Sequence, residues 1–461
     1  MTEHTSRRGF LGATAGLTAG AGFSVLADPA AAAAGAVGVK SGDLPDLTIK
    51  EVKVYVSDVS KYRRLNSTET GEILSVVTAS GIEGNYTIGN RNLTKGWLEW
   101  AKARLLGKSV IDVLPTLTST SGMKGPAGFD SAIPRGRPGA AHFVPSPPGP
   151  GWTPAFGGDA VEGSGLMTRG GGTWPNFYAA AADVCLWDIL GKAVDRPIYK
   201  ILGGGTTSKD KVLAYASSQH LDSIEDYVAD VLKAKAQGYK GYKIHPGAGQ
   251  HAKGALTPSY IGHMEEIREV RKAVGDEYVL MHDPVQRYSL YEAMTVGRLL
   301  DELNFLWYED PVQTNDQESL IKLCAALDLA IHVGEFIYSV SDFADYIKKD
   351  ALDVVRLIAD NVGGISGGMR VGLLADAHGL ECTPHNWGNG FDLALHLQLE
   401  LALPNAYWFE MPFVAEYADR DYLDYKFRID EDGYIAAPTA PGLGLALNMD
   451  ALHNSLKRID R

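Results

Sequence analysis

Three acids in the C-terminal half of this chain fall at closely matched positions: Asp283 in LMHDP, Glu309 in LWYEDP and Glu335 in HVGEF, each about 26 residues after the last. Each ends a short apolar run that reads as a strand. If the runs are neighbouring parallel strands, the three carboxylates meet at one mouth. Each pair of unit charges 4 Å apart at an effective dielectric of 20 then costs ~4 kcal/mol. A hard divalent cation resolves that repulsion. All-oxygen ligands, with no cysteine or histidine at the matched positions, favour Mg²⁺ over zinc. One unit earlier, GYKGYKIHP carries Lys243 and His245 two residues apart, hence on one face of a strand. A basic pair at a strand end is ordinarily a solvated rim; next to three metal-type acids it gains a chemical use.

The elements that must position these residues start at about residue 176. A helix over 176–193 is followed by strand candidates at VLAYASS, YKIHP, YVLMHD, FLWYED, AIHVGEF, VVRLIAD, LECTPH and YWFEM. Amphipathic stretches such as IEDYVADVLKAKAQG and YIGHMEEIREVRKAVG lie between them. Alternating strands and helices demand parallel strands with crossover helices, so a (β/α)8 barrel leads and a doubly wound open sheet is the rival. Polar residues at the C-terminal ends of the strands favour the barrel, whose active sites are built there. Upstream, 47–59 and 73–89 read as strands and 97–106 as a helix. Residues 118–175 are dense in glycine and proline and read as an ordered lid or an oligomer contact. The expected organisation is an N-terminal leader over 1–35, an α+β region over 46–175, the barrel over 176–424 and a returning tail over 425–461.

A net charge of −13 over 461 residues, with no lysine/arginine run, argues against a nucleic-acid or anionic-membrane surface and points to a small-molecule partner. Cys185, Cys324 and Cys382 form no spaced pair and read as buried free thiols. Ser6-Arg7-Arg8-Gly9-Phe10-Leu11, then an Ala/Gly-rich apolar run and the small residues of 30–34, resembles a twin-arginine export signal. The expected location is therefore the secreted or cell-envelope space, with no stable membrane insertion once the signal is cleaved.

Lys243-x-His245, Asp283, Glu309-Asp310-Pro311, Gly334-Glu335, Gly363-Gly364-Ile365 and Thr383-Pro384-His385-Asn386 together resemble the mandelate racemase branch of the enolase superfamily. The stretch LWDILGKAVDRPIYKILGG is similar to that family's entry into its barrel. The resemblance implies a modified (β/α) barrel capped by an α+β domain made from the N-terminal region and the C-terminal tail. It implies Mg²⁺ on Asp283, Glu309 and Glu335, and removal of the proton α to a substrate carboxylate to give an enediolate. Loss of the β-hydroxyl would make an acid-sugar dehydratase; reprotonation or ring closure would make an epimerase or cycloisomerase. A secreted sugar-acid binding protein without catalysis is the non-enzymatic alternative. The family's oligomers imply a homo-oligomer.

Matched residue by residue, Lys243 takes the place of the family's first lysine and His245 that of its second-strand base. His385 matches the base of the seventh strand, whose usual aspartate partner is here Ile358. Arg356 and Asp360 flank Ile358 at strand spacing, so Asp360 is the expected partner of His385. Glu410 matches a contact to the substrate carboxylate or its enediolate oxygen, and Arg356 is either its salt-bridge partner or a carboxylate clamp. Asn386 and Asn389 read as hydroxyl contacts, His282 as packing, and Asp310 as a structural acid on the opposite face from Glu309. The resemblance puts specificity in the loops around Asn85, Tyr86 and Arg91.

Overall fold

Strand-forming runs and helix-capping residues alternate along most of the chain, and the computed structural model follows them closely. It describes residues 44–57, 72–87, 94–117, 174–203, 209–247, 259–414 and 421–461. The twin-arginine stretch, Arg91 and all but the end of the 118–175 segment lie outside these residues.

The N-terminal region forms an antiparallel sheet of β1 (Ile49–Ser57), β2 (Glu72–Thr78) and β3 (Glu83–Tyr86). The stretch 73–89, expected as one strand, is a hairpin that turns over residues 79–82. Helices α1 (Thr94–Leu105) and α2 (Val110–Leu117) follow, and the sequence reading missed the second. Helices α3 (Trp174–Ala193) and α4 (Ile198–Ile201) lead into the larger layer.

Eight parallel strands make that layer: β4 (Lys211–Ser217), β5 (Gly241–Ile244), β6 (Val279–His282), β7 (Trp307–Glu309), β8 (Ala330–Val333), β9 (Val354–Val355), β10 (Glu381–Cys382) and β11 (Trp408–Pro412). The ladder runs β10-β9-β8-β7-β6-β5-β4-β11. Where β10 faces β11 the join is made by other bonds: Cys382 N–H donates to Asn405 O, and the Asn386 side chain donates to Glu410 O. Tyr215, Met281 and Trp307 fill the interior, and His332 stacks on Trp307 at 4.2 Å. This is a modified (β/α)8 barrel with an α+β cap, and the open-sheet alternative is set aside.

Crossover helices start where the sequence supplies caps. Ser223 caps α5 (Ile224–Ala236), while Ser289 with Glu292 boxes the start of α7 (Leu290–Glu302). Between those two crossovers runs α6 (Ser259–Val274). Asn389 with Asp392 does the same for the helix Gly390–Ala402. The capping bonds fix the exit angles of the βα loops that carry the strand-end residues.

The tail returns twice. Strand β12 (Tyr434–Ala436) pairs antiparallel with the start of β4, and β13 (Leu456–Asp460) pairs antiparallel with β1. The tail thus braces the barrel as well as the cap sheet. All three cysteines are free and buried.

Candidate active site

The acids meet as the spacing requires. Parallel register aligns β6, β7 and β8 so that Asp283, Glu309 and Glu335 leave the same end of the barrel. One carboxylate oxygen from each lies within 4.8 Å of the others, and all three residues are buried. Gly334 lets the chain present Glu335. Its φ of +144° suits glycine, and an added Cβ would lie 2.6 Å from Arg356 O. Asn361 holds the next peptide by donating to Glu335 O at 2.8 Å.

Two cations sit inside this acidic group, both with no exposure to solvent. Lys243 Nζ lies 2.7 Å from Glu410, 2.8 Å from Glu309 and 3.4 Å from Asp283. Arg356 donates through its Nε to Glu309 and through a terminal nitrogen to Glu410. Its other terminal nitrogen donates to the carbonyls of Thr383 and Pro384, each at 3.2 Å. Of the two readings of Arg356, the geometry favours the ion-pair partner over the substrate clamp. Glu410 also accepts from Ser217 Oγ at 2.8 Å and Asn386 N at 2.7 Å, so its oxygens are fully engaged within the protein.

The electrostatics separate the acids. Burial works against the charge of Asp283, but the Lys243 ammonium and His245 overcome it and hold the carboxyl well below the usual range. Glu410 is held low in the same way, with Arg356 first and Lys243 second outweighing burial. Glu335 goes the other way: burial, then the neighbouring charges of Asp283, Asp310 and Glu309, push it well above the usual range. Among the described residues the only ion-pair contact of Glu335 is His385 at 3.5 Å. The donor set is short of positive charge on that side, and Asp283, Glu309 and Glu335 fit a hard divalent cation held by oxygens.

His245 and His385 approach different members of the triad. His245 Nδ1 lies 2.6 Å from Ser218 O, a pure acceptor, so Nδ1 carries hydrogen and Nε2 faces Asp283 at 3.0 Å. Ser218 Oγ accepts from the His245 backbone N–H, and Tyr227 and His220 donate to its carbonyl. Trp387 packs edge-on against the His245 ring, with centroids 5.6 Å apart. His385 is held neutral by burial, which drives its pKa well below the ordinary value.

Asp360 is placed otherwise than expected. Strand β9 ends at Val355, so strand spacing does not extend to Asp360, which sits on the short helix Ala359–Val362. The hydroxyl of the cap residue Tyr86 lies 2.9 Å from Asp360 and 2.8 Å from Asp392, tying the cap to the first turns of two barrel helices. Asp310 also departs from strand alternation, because its φ of +33° ends the extended run just after Glu309. Burial and the charges of Glu309 and Asp283 push Asp310 well above the usual carboxyl range, so it shares the field of the triad. Asn389 is a helix cap, and Asn386 is spent mainly on Glu410. His282 stacks on Tyr288. Ser217, Ser218, Trp387 and Arg287 went unnoticed in the sequence. The two serines carried a usable signal, standing at the end of the strand before Lys243.

Residues 226–451 match the family described as enolase C-terminal domain-like. An arabinonate dehydratase from Saccharolobus solfataricus is 32% identical over 275 residues, spanning 58% of this chain and 69% of that protein. The chain belongs to the enolase superfamily. Within the superfamily it falls in the mandelate racemase/muconate lactonizing branch. An L-talarate/galactarate dehydratase from Salmonella typhimurium is 31% identical over 230 residues, and there the match spans 50% of this chain and only 54% of the relative. In fold the chain is similar to a D-glucarate dehydratase from Agrobacterium tumefaciens complexed with magnesium. The TM-score is 0.69 at 24% identity, covering 90% of this chain and all of that one.

Proposed function

We propose that this enzyme removes the proton α to the carboxylate of an acid sugar and expels the neighbouring β-hydroxyl, giving a 2-keto-3-deoxy acid. The observation that carries this reading is the pair of histidines on different members of one buried triad: His245 on Asp283, and His385 on Glu335. Mg²⁺ held by Asp283, Glu309 and Glu335 would supply positive charge to the substrate carboxylate as the enediolate develops. His385, neutral and accepting, takes the C2 proton. His245 carries hydrogen on Nδ1 and turns Nε2 to the Asp283 carboxylate, so its imidazolium form, with hydrogen on both nitrogens, is the form placed to protonate the departing hydroxyl. The C2–H and C3–O bonds break, water leaves, and the enol formed tautomerises to the keto acid. Lys243 and Arg356 hold Glu309 and Glu410 in place throughout.

The test is a panel of mono- and diacid sugars in D₂O with Mg²⁺, followed by NMR for keto-acid formation and for deuterium at C2. Turnover should vanish on chelation, return with added Mg²⁺, and fall by at least ~10²-fold in Glu335→Gln, as expected for loss of a metal ligand. Deuterium entering C2 without loss of water would favour an epimerase or cycloisomerase. Binding of acid sugars with neither event would leave a binding protein.

We also propose export by the twin-arginine route, supported by Arg7-Arg8 and the apolar, small-residue stretch behind it. Changing both Arg7→Lys and Arg8→Lys should leave the protein in the cytoplasmic fraction; unchanged export of that variant would refute the assignment. A homo-oligomeric assembly is proposed on family resemblance alone.

A further inference from the structure

Lys243 and Arg356 are committed to carboxylates of the protein itself, so neither is available to hold an anionic group of a substrate. Arg287 differs. It leaves the mouth of the barrel four residues after Asp283 and is only partly buried. Its guanidinium donates to Pro246 O at 2.6 Å and lies 3.4 Å from His220 Nε2. None of the ion pairs of the described residues involves it.

His220 serves this arrangement in one tautomer. Its Nδ1 lies 3.0 Å from Pro246 O and 3.3 Å from His245 O, both acceptors, so Nδ1 carries hydrogen and Nε2 offers its lone pair to Arg287. Burial, with the charges of His245 and Arg287, moves the His220 pKa down to about 4, which keeps that lone pair available. Among the described residues two of the five donors of the guanidinium fork are then used and three are left over. A partly buried guanidinium with donors to spare selects a planar anion, a carboxylate above all. Its position is beyond His245, since Pro246 follows that residue directly and the His220 and His245 rings stand 5.8 Å apart. A substrate whose C2 and C3 lie between the two histidines, with its first carboxylate over the triad, would need a second anionic group to reach Arg287.

We propose that Arg287, positioned by His220, forms a second carboxylate subsite, so that the substrate is a sugar diacid rather than a monoacid; this rests on the acid-sugar reading above. The test has two arms. In calorimetric titrations with Mg²⁺ present, wild type should bind the dicarboxylate adipate at least 10-fold more tightly than hexanoate. Arg287→Gln should erase that preference and Arg287→Lys should recover part of it, with thermal melting confirming that both variants fold. Equal binding of the two acids by wild type, or a preference that survives in Arg287→Gln, overturns the subsite. In turnover, the diacid-to-monoacid ratio of kcat/KM should fall 10- to 100-fold in Arg287→Gln for sugars of matched stereochemistry. A ratio that does not move also overturns the subsite. If wild type turned over no acid sugar yet kept its adipate preference, the dehydratase reading would fail while the subsite stood.

Discussion

Asparagine at His385 is expected to abolish both deuterium exchange at C2 and keto-acid formation, while asparagine at His245 lowers keto-acid formation by 10²–10⁴-fold and leaves C2 exchange running. The asymmetry follows from geometry. His385 is buried, neutral and in contact with Glu335, so it can accept a proton. His245 donates from Nδ1 to Ser218 O and presents Nε2 to Asp283, so it is set up to give one. General acid and base groups typically contribute 10²–10⁴-fold, which sets the size of either loss. NMR in D₂O reads both events in one sample. If His245→Asn lost exchange and His385→Asn kept it, the roles would be reversed. The acid limb of kcat/KM should also lie below pH 6.5, since a base whose pKa is depressed stays unprotonated until the pH falls through that lower value.

Arg356→Met should be the most destabilising single change at the mouth. Arg356 is fully buried and shared between Glu309 and Glu410, so its removal strands part of two carboxylate charges in a dry site. Breaking a buried ion pair from one side costs about 3–5 kcal/mol, a loss that urea unfolding of the variant against wild type should show. The double variant Arg356→Met with Glu410→Met should recover some of that loss, because the stranded charge goes with the arginine. Arg356→Lys should not rescue fully, since one ammonium cannot reproduce the planar fork that spans both acids and two carbonyls. A variant as stable as wild type would mean that the two carboxylates are satisfied without the guanidinium.

Gly364 illustrates how local pattern and tertiary need can coincide. Its φ of +78° and the 2.6 Å from an added Cβ to Asp183 explain the glycine pair that opens the helix Gly364–Ala377. Asp183, from α3, accepts from Ser366 N at 3.0 Å and from Ser366 Oγ at 2.6 Å, and so anchors that helix start. The glycine pair was legible in the sequence. Its reason was not, because the aspartate comes from a distant helix.

By itself the sequence determined the alternation of strand and helix, the barrel it implies, and the common mouth of Asp283, Glu309 and Glu335. These depend on local periodicity and on a repeat of one β/α unit, both of which are written along the chain. Lys243 and His245 shared a face for the same reason. Tertiary structure alone decided which group met which. Curling of the sheet brought Lys243 from β5 and Arg356 from the end of β9 onto Glu410 of β11, which selects the salt-bridge reading of Arg356 and adds Lys243 to the same carboxylate. The two-residue β9 ended strand alternation before Asp360, which Tyr86 of the cap then engaged. Among the described residues Arg287 has no acid of its own, because the loop after β6 turned it toward Pro246 and His220. Periodicity specifies the face on which a residue stands; the partner waiting there comes from elements far away in the chain, whose approach only the packed sheet and cap define.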